Sequence, residues 1–227
     1  MAASALALGQ LLRLASPALP VGAYSYSQGL EWAIEAGTVR DAATAERWIA
    51  DLLQLGLAHY ELPLLAALQG AWQAGDAAAA QRLNDDWLAS RETAELRAET
   101  LQMGYSMARL LEGLPDLPAA ARERAAQLRR PCWPALYALA AAAWGLDGEA
   151  ARGAYLWSWL ENQVMVLMKA LPLGQAAGQQ LLSRLLPLLA EAAAAAPADE
   201  DDWHNLAPGF ALAACLHETQ YSRLFRS

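Results

Sequence analysis

The chain has 227 residues, a formal net charge of −8, 56% hydrophobic types and 18% charged types. Ala and Leu supply about two-fifths of it and Val, Ile and Thr about a twentieth, which excludes a large sheet, because strands draw on β-branched residues and helices on Ala and Leu. The negative charge argues against a general nucleic-acid binder, which needs cations to displace phosphate counterions, and two cysteines cannot build a disulfide framework, in keeping with a reducing compartment.

Residues 1–14 carry no basic segment ahead of their apolar stretch and do not read as a signal peptide. Ser4 caps a short apolar helix ending near Leu14. Pro17 and Pro20 keep the following segment extended or turning. A helix is expected over 27–36, closed by Gly37. Asp41 or Thr44 caps the next, whose apolar positions Trp48, Leu52 and Leu55, with Ile49 and Leu53 beside them, form one stripe that Pro63 interrupts before it resumes to Gln73.

Asp76 caps 77–89. The stretch 91–111 is amphipathic, with Leu96, Met103, Met107, Leu110 and Leu111 facing in and Arg91, Glu92, Glu95 and Glu99 facing out. Pro118 opens a helix to about Arg130, and helices over 134–144 and 148–171 follow. The apolar run 131–146 is broken by Pro134 and is too short to span a membrane. Residues 175–196 are helical around Pro187, where a kink is expected. Residues 197–205 form an acidic loop, and 208–220 the last helix. The expected architecture is all-α: a single-domain bundle of about eight to ten helices over 1–227, with 221–227 a tail, soluble and cytoplasmic.

No phosphate-binding G-x-x-x-x-G-K-[ST] loop is present; the only lysine, Lys169, precedes Ala170. There is no dinucleotide fingerprint and no G-x-S-x-G elbow. His217-Glu218 begins like a helical zinc motif, but Tyr221 stands where the second histidine belongs. Cys215 and His217, two apart, point to different faces of a helix, and His59 and His204 stand isolated. The pairs Glu31/Glu35 and Glu95/Glu99 have the spacing for acid–base work, yet such pairs on a helix are usually a solvated face. These absences favour an interaction module with no catalytic residue and no metal site. The weaker alternatives are a direct nickel or zinc carrier using His204, Cys215 and His217, and a helical enzyme using Glu31 and Glu35.

Four segments depart from the Ala/Leu background. Residues 14–31, L-A-S-P-A-L-P-V-G-A-Y-S-Y-S-Q-G-L-E, concentrate Pro, Gly, Ser and Tyr, and Tyr24 and Tyr26 offer rigid amphipathic contact area. Residues 144–159 hold Trp144, Tyr155, Trp157 and Trp159, which read as core. Residues 169–175, K-A-L-P-L-G-Q, place the sole lysine at the end of an apolar helix, where the helix dipole favours a cation. Gly174 and Gly178 then present a bare strip to a neighbouring backbone. Residues 217–227, H-E-T-Q-Y-S-R-L-F-R-S, combine aromatic and arginine residues as interface anchors do.

Three of these segments, 14–31, 169–175 with Gln179, and 217–227, resemble in order the urease accessory protein F (UreF) family. The resemblance covers essentially the whole chain; Asp199–Asp202 and the Ala run 192–196 look like local elaborations. It implies an all-helical, usually dimeric protein with no activity and no cofactor of its own, nickel and GTP being handled by partners. Those partners would be a second accessory protein (UreD, also called UreH), the GTPase UreG and apo-urease. The assembly would promote nickel insertion, with GTP hydrolysis gated by the adaptor. The resemblance implies partner contacts through Tyr221, Ser222, Arg223, Leu224, Phe225, Arg226 and Ser227, preceded by His217. It places Lys169, with Gln175 and Gln179, and the segment bearing Tyr24, Tyr26 and Glu31 on the surface facing the GTPase.

Overall fold

The computed structural model describes residues 4–195 and 199–227, and among them every regular element is helical. Ala196 and the first residues of the expected acidic loop, Pro197 and Ala198, lie outside the described residues. The helices are α1 (Ala5–Ala15), α2 (Leu30–Glu35), α3 (Ala42–Leu52), α4 (Leu62–Ala74), α5 (Ala77–Ala89), α6 (Ala94–Gly113), α7 (Ala119–Gln127), α8 (Trp133–Ala143), α9 (Gly148–Ala170), α10 (Gln175–Ala194) and α11 (Pro208–His217). Their starts follow the side chains that satisfy free backbone N–H groups. Ser4 caps α1, Asp41 makes a capping box with Thr44 at α3, and Asp76 caps α5.

Two expectations fail for local reasons. Residues 27–29 do not join α2, because Gln28 (φ 54°) and Gly29 (φ 80°) are left-handed. Nor does Pro63 break the second rod. Residues Leu53–Glu61 form a wide π turn, and the Leu62 N–H reaches the Leu57 carbonyl five residues back, so α3 and α4 run on as one helix. Pro63 has no N–H for the His59 carbonyl, which accepts instead from the backbone N–H of His204 at 3.2 Å. The two imidazoles stack with centroids 4.5 Å apart, so His59 and His204 are neighbours and not isolated. The wide turn also rotates the apolar stripe, leaving Leu55 exposed. With α3 and α4 counted as one rod, the bundle has ten.

α8 is the centre, buried at every position from Trp133 to Ala141 and packed on α4 and α6. A Cβ on Gly104 of α6 would lie 1.9 Å from the Pro131 carbonyl oxygen, so only glycine allows α6 this close to the chain entering α8. Trp72 Nε1 donates to the Ala135 carbonyl at 2.9 Å, and the Tyr137 hydroxyl to the Ala151 carbonyl at 2.8 Å. α10 packs on α9 through Gly178, whose missing Cβ leaves room for Met168 and Val164 at 3.2 Å, whereas Gly174 faces open space. α1 lies along α9, and α2 fits between α9 and α11. That last arrangement brings 24–31, the end of α9 and 217–227 together.

Candidate functional site

The three segments singled out in the sequence meet at one socket. Residues 223–227 lie against 25–31 and are held through their backbone. The N–H groups of Ser27 and Gln28 converge on the Ser227 carbonyl oxygen at 2.6 and 3.0 Å, and the Ser27 hydroxyl donates to the same oxygen. Gln28 has to be left-handed for the two N–H groups to point inward together. Beside it, a Cβ on Gly29 would sit 2.9 Å from the Ala214 nitrogen, which fixes how closely α2 meets α11. The Arg226 N–H donates to the Ser25 carbonyl at 2.8 Å.

Glu31, in the first turn of α2, where a helix favours negative charge, accepts the Leu224 N–H at 2.6 Å and the Phe225 N–H at 3.0 Å, one on each carboxylate oxygen. Its Oε2 also lies 3.2 Å from Nε2 of His217, the last residue of α11; Nδ1 of that ring faces Glu95 Oε2 at 2.8 Å. The other oxygen of Glu95 takes the Arg223 guanidinium. The Glu95 N–H, a free donor at the start of α6, is capped by the Glu218 carboxylate at 3.1 Å. Gln220 donates to Glu35.

Deeper in, Glu99 accepts the Ser227 hydroxyl and the Gln28 amide, both at 2.7 Å, and Trp159 Nε1 donates to Gln28 Oε1 at 3.0 Å. Burial pushes the Glu99 carboxyl up to about 7, against those two hydrogen bonds, which pull it down. Burial and the nearby Glu99 raise the Tyr26 hydroxyl. Behind the socket, Arg91 pairs with Glu61 at 2.9 Å with both side chains largely buried, and its guanidinium stacks 4.1 Å over the Trp87 ring. Burial raises Glu61 despite the Arg91 charge beside it. A cavity of about 90 Å³ lies between these groups, lined by Gln28, Glu61, Arg91, Glu99, Tyr155 and Trp159.

Arg91 and Glu99 therefore do not face solvent as the helical pattern suggested; each is buried against a partner distant in sequence. Glu99 occupies the stripe of Leu96 and Met103, a spacing that could have marked it as inward. Glu31 and Glu35 are no solvated pair either, because both are bonded to residues beyond α11. Arg91, Glu61, Ser27 and Gln28 are site residues that sequence reasoning missed, while Glu95 and Glu99, weighed there as an acid–base pair, serve here as acceptors for the tail.

The residues read as partner-binding divide by exposure. Glu31, Tyr26, His217, Phe225 and Ser227 are buried in the socket. Tyr221, Ser222, Arg223, Leu224 and Arg226 are exposed along its rim, as is Tyr24, with Leu224 69% accessible. Lys169 is exposed at the end of α9 with Nζ 5.2 Å from the centre of the Phe225 ring, so charge and aromatic face meet at the surface. Gln175 and Gln179 are exposed on the first turns of α10, apart from the socket's hydrogen bonds. Among the described residues no group of three His, Cys, Asp or Glu is arranged to hold a metal ion, and no helix is long and apolar enough to cross a membrane. Cys215 is exposed and His217 buried, so the two do not converge.

Comparison with known proteins gives one family. The family model described as UreF matches residues 39–186. A urease accessory protein UreF of Azoarcus sp. is 57% identical over 231 residues, covering 98% of this chain and 96% of the relative. Its counterpart in Dechloromonas aromatica is 56% identical, with 98% of each chain covered. That of Azotobacter vinelandii is 55% identical, covering 96% of this chain and 97% of the relative.

Proposed function

The chain belongs to the UreF family of urease accessory proteins, and from that membership we propose that it is a non-catalytic adaptor in urease maturation. It binds UreD (UreH) and the GTPase UreG, docks with them on apo-urease as a homodimer in the cytoplasm, and promotes nickel insertion while gating GTP hydrolysis. Residues 1–227 act as one all-helical unit, with 221–227 its partner-binding tail. It needs no cofactor of its own, since nickel is the cargo and GTP the GTPase's substrate. An adaptor of this kind works by effective concentration, turning encounters between separate molecules into steps within one assembly.

The observation that carries the reading is the docked tail. A segment anchored by its backbone and by Phe225 turns Tyr221, Leu224 and Arg226 outward beside Lys169 and Tyr24. Aromatic and arginine residues held rigidly on a surface are what interface hot spots are made of. The buried members, Glu31, His217, Phe225 and Ser227, serve the interface by holding that rim in place.

Co-expression with UreD and UreG tests this. The full chain is expected to co-purify with both and to support nickel-dependent urease activation. A chain lacking 221–227 should keep its helical circular dichroism and lose the complex. Wild-type assembly by the truncated chain would refute the role given to the tail. A Lys169→Ala variant that assembles normally but activates urease poorly would place Lys169 in gating, apart from assembly.

A further inference from the structure

His217 is fully buried, and each ring nitrogen faces a carboxylate oxygen: Nδ1 lies 2.8 Å from Glu95 and Nε2 lies 3.2 Å from Glu31. A neutral imidazole has one N–H and one lone pair, and an ionised carboxylate can only accept. Whichever tautomer a neutral ring adopted, one lone pair would be set against another. The carboxylates are themselves held as acceptors. Glu31 takes the backbone N–H groups of Leu224 and Phe225, and Glu95 takes the Arg223 guanidinium on its second oxygen. None of those three donors can accept a proton-bearing carboxyl in return.

We propose that His217 is a doubly protonated positioning residue, an imidazolium bridge that clamps Glu31 of α2 to Glu95 of α6 and through them fixes residues 223–225. The ring acts on the tail only through the two carboxylates. With the second proton present, every contact in the chain Glu31–His217–Glu95–Arg223 joins a charged donor to a charged acceptor. Without it, one of the two carboxylates faces a lone pair, and the link between α2 and α6 that steadies Glu31, and with it Leu224 and Phe225, opens on one side.

The surroundings favour a cation at this position. From α2 come Glu31 and, at the rim, Glu35; from α6 Glu95 and Glu99; from the residue after α11 Glu218. Against these stand Arg223 and Arg226 of the tail and Lys169 at the end of α9. Carboxyl groups outnumber these cations, and the buried ring adds the charge that links the two helices. The proposed function enters only in what the tail is held ready for; the clamp itself is a property of the isolated chain.

The test uses the isotopically labelled full chain. Long-range proton–nitrogen spectra of the His217 ring are expected to show both nitrogens protonated at about pH 6. At that pH the exchange protection of the Leu224 and Phe225 amides, corrected for intrinsic rate, should be about tenfold or more. His217→Gln should leave those two amides unprotected. Glu99→Gln, which leaves both carboxylates of the clamp in place, should keep that protection. A ring with a single protonated nitrogen while the tail amides are protected would overturn the clamp, as would unchanged protection of those amides in His217→Gln. If His217→Gln fails to fold, the wild-type ring spectrum decides. A failed clamp with intact partner binding strikes only this inference; a sound clamp in a chain that binds no partner strikes only the proposed function.

Discussion

Around α8 the helices close by shape; around Ser227 they close by charge. In the first region the approach of α6 is set by a missing Cβ at Gly104, and the indole and phenol of Trp72 and Tyr137 spend their hydrogen bonds on nearby carbonyls. Such packing loses affinity with every atom added or removed. In the second region one apolar side chain, Phe225, is buried, and the rest of the tail hangs on carboxylates, backbone N–H groups and one imidazole. Each of these hydrogen bonds replaces one made to water in the unfolded chain, so each contributes only modestly to stability. The difference teaches a division of labour: the bundle is permanent, and the tail is a separable layer whose position is set by a few polar groups.

The sharpest break in that contrast is Arg91, a charge placed against the shape-closed interior. It is largely buried, paired with Glu61 and stacked on Trp87. Arg91→Ala strands the Glu61 carboxylate, and removing one member of a buried pair typically costs about 3–5 kcal/mol. Thermal and denaturant unfolding of the isolated variant are expected to show a loss of that size, with the whole bundle affected. A loss below about 1 kcal/mol would mean that water reaches the pair and that the interior is less closed than its packing implies.

Glu99 joins the two regions, since it sits in the apolar stripe of α6 and holds Ser227. Burial places its folded-state value at about 7 against an ordinary 4.5. The folded chain therefore binds this proton more tightly than the unfolded chain. The corresponding stability is complete below about pH 4.5 and is lost as pH rises to about 7, with no further change above. The most it can amount to is about 3 kcal/mol. Unfolding measured on wild type and Glu99→Gln across this window should show the wild type losing stability relative to the variant as pH rises. Parallel curves would mean that the carboxyl is already ionised in the fold.

Much of this architecture is legible in the sequence and some of it is not, for identifiable reasons. Caps act within three or four residues, so Ser4, Asp41, Asp76 and Pro118 announce their helices directly. Register is lost where the period changes: the wide turn at Leu53–Glu61 turns Leu55 outward, and only Pro63, which offers the His59 carbonyl no N–H, hints at it. Helical periodicity also cannot tell a solvated charge from a paired one. Arg91 finds Glu61 thirty residues back, and Glu99 finds Ser227 more than a hundred residues on. The three unusual segments could be recognised as set apart from the core, but that they form one socket depends on Gln28 being left-handed, which no residue type there dictates.

The rim of the socket is where the smallest effect on folding should accompany a clear effect on assembly. Tyr221 is fully exposed and Leu224 mostly so, while the Leu224 backbone N–H, which a side-chain substitution leaves intact, supplies the anchor to Glu31. Tyr221→Ala and Leu224→Ala are thus expected to shift stability by no more than about 0.5 kcal/mol. If the rim meets a partner, truncating an aromatic or aliphatic anchor there should weaken the complex with UreD by about 2 kcal/mol, some thirtyfold in Kd. Titration calorimetry and thermal unfolding on the same samples separate the two quantities. Unchanged affinity with unchanged stability would move the partner surface elsewhere on the bundle. Lost stability would show instead that the tail is not the separable layer its contacts describe, since side chains exposed in the folded chain would then be holding it together.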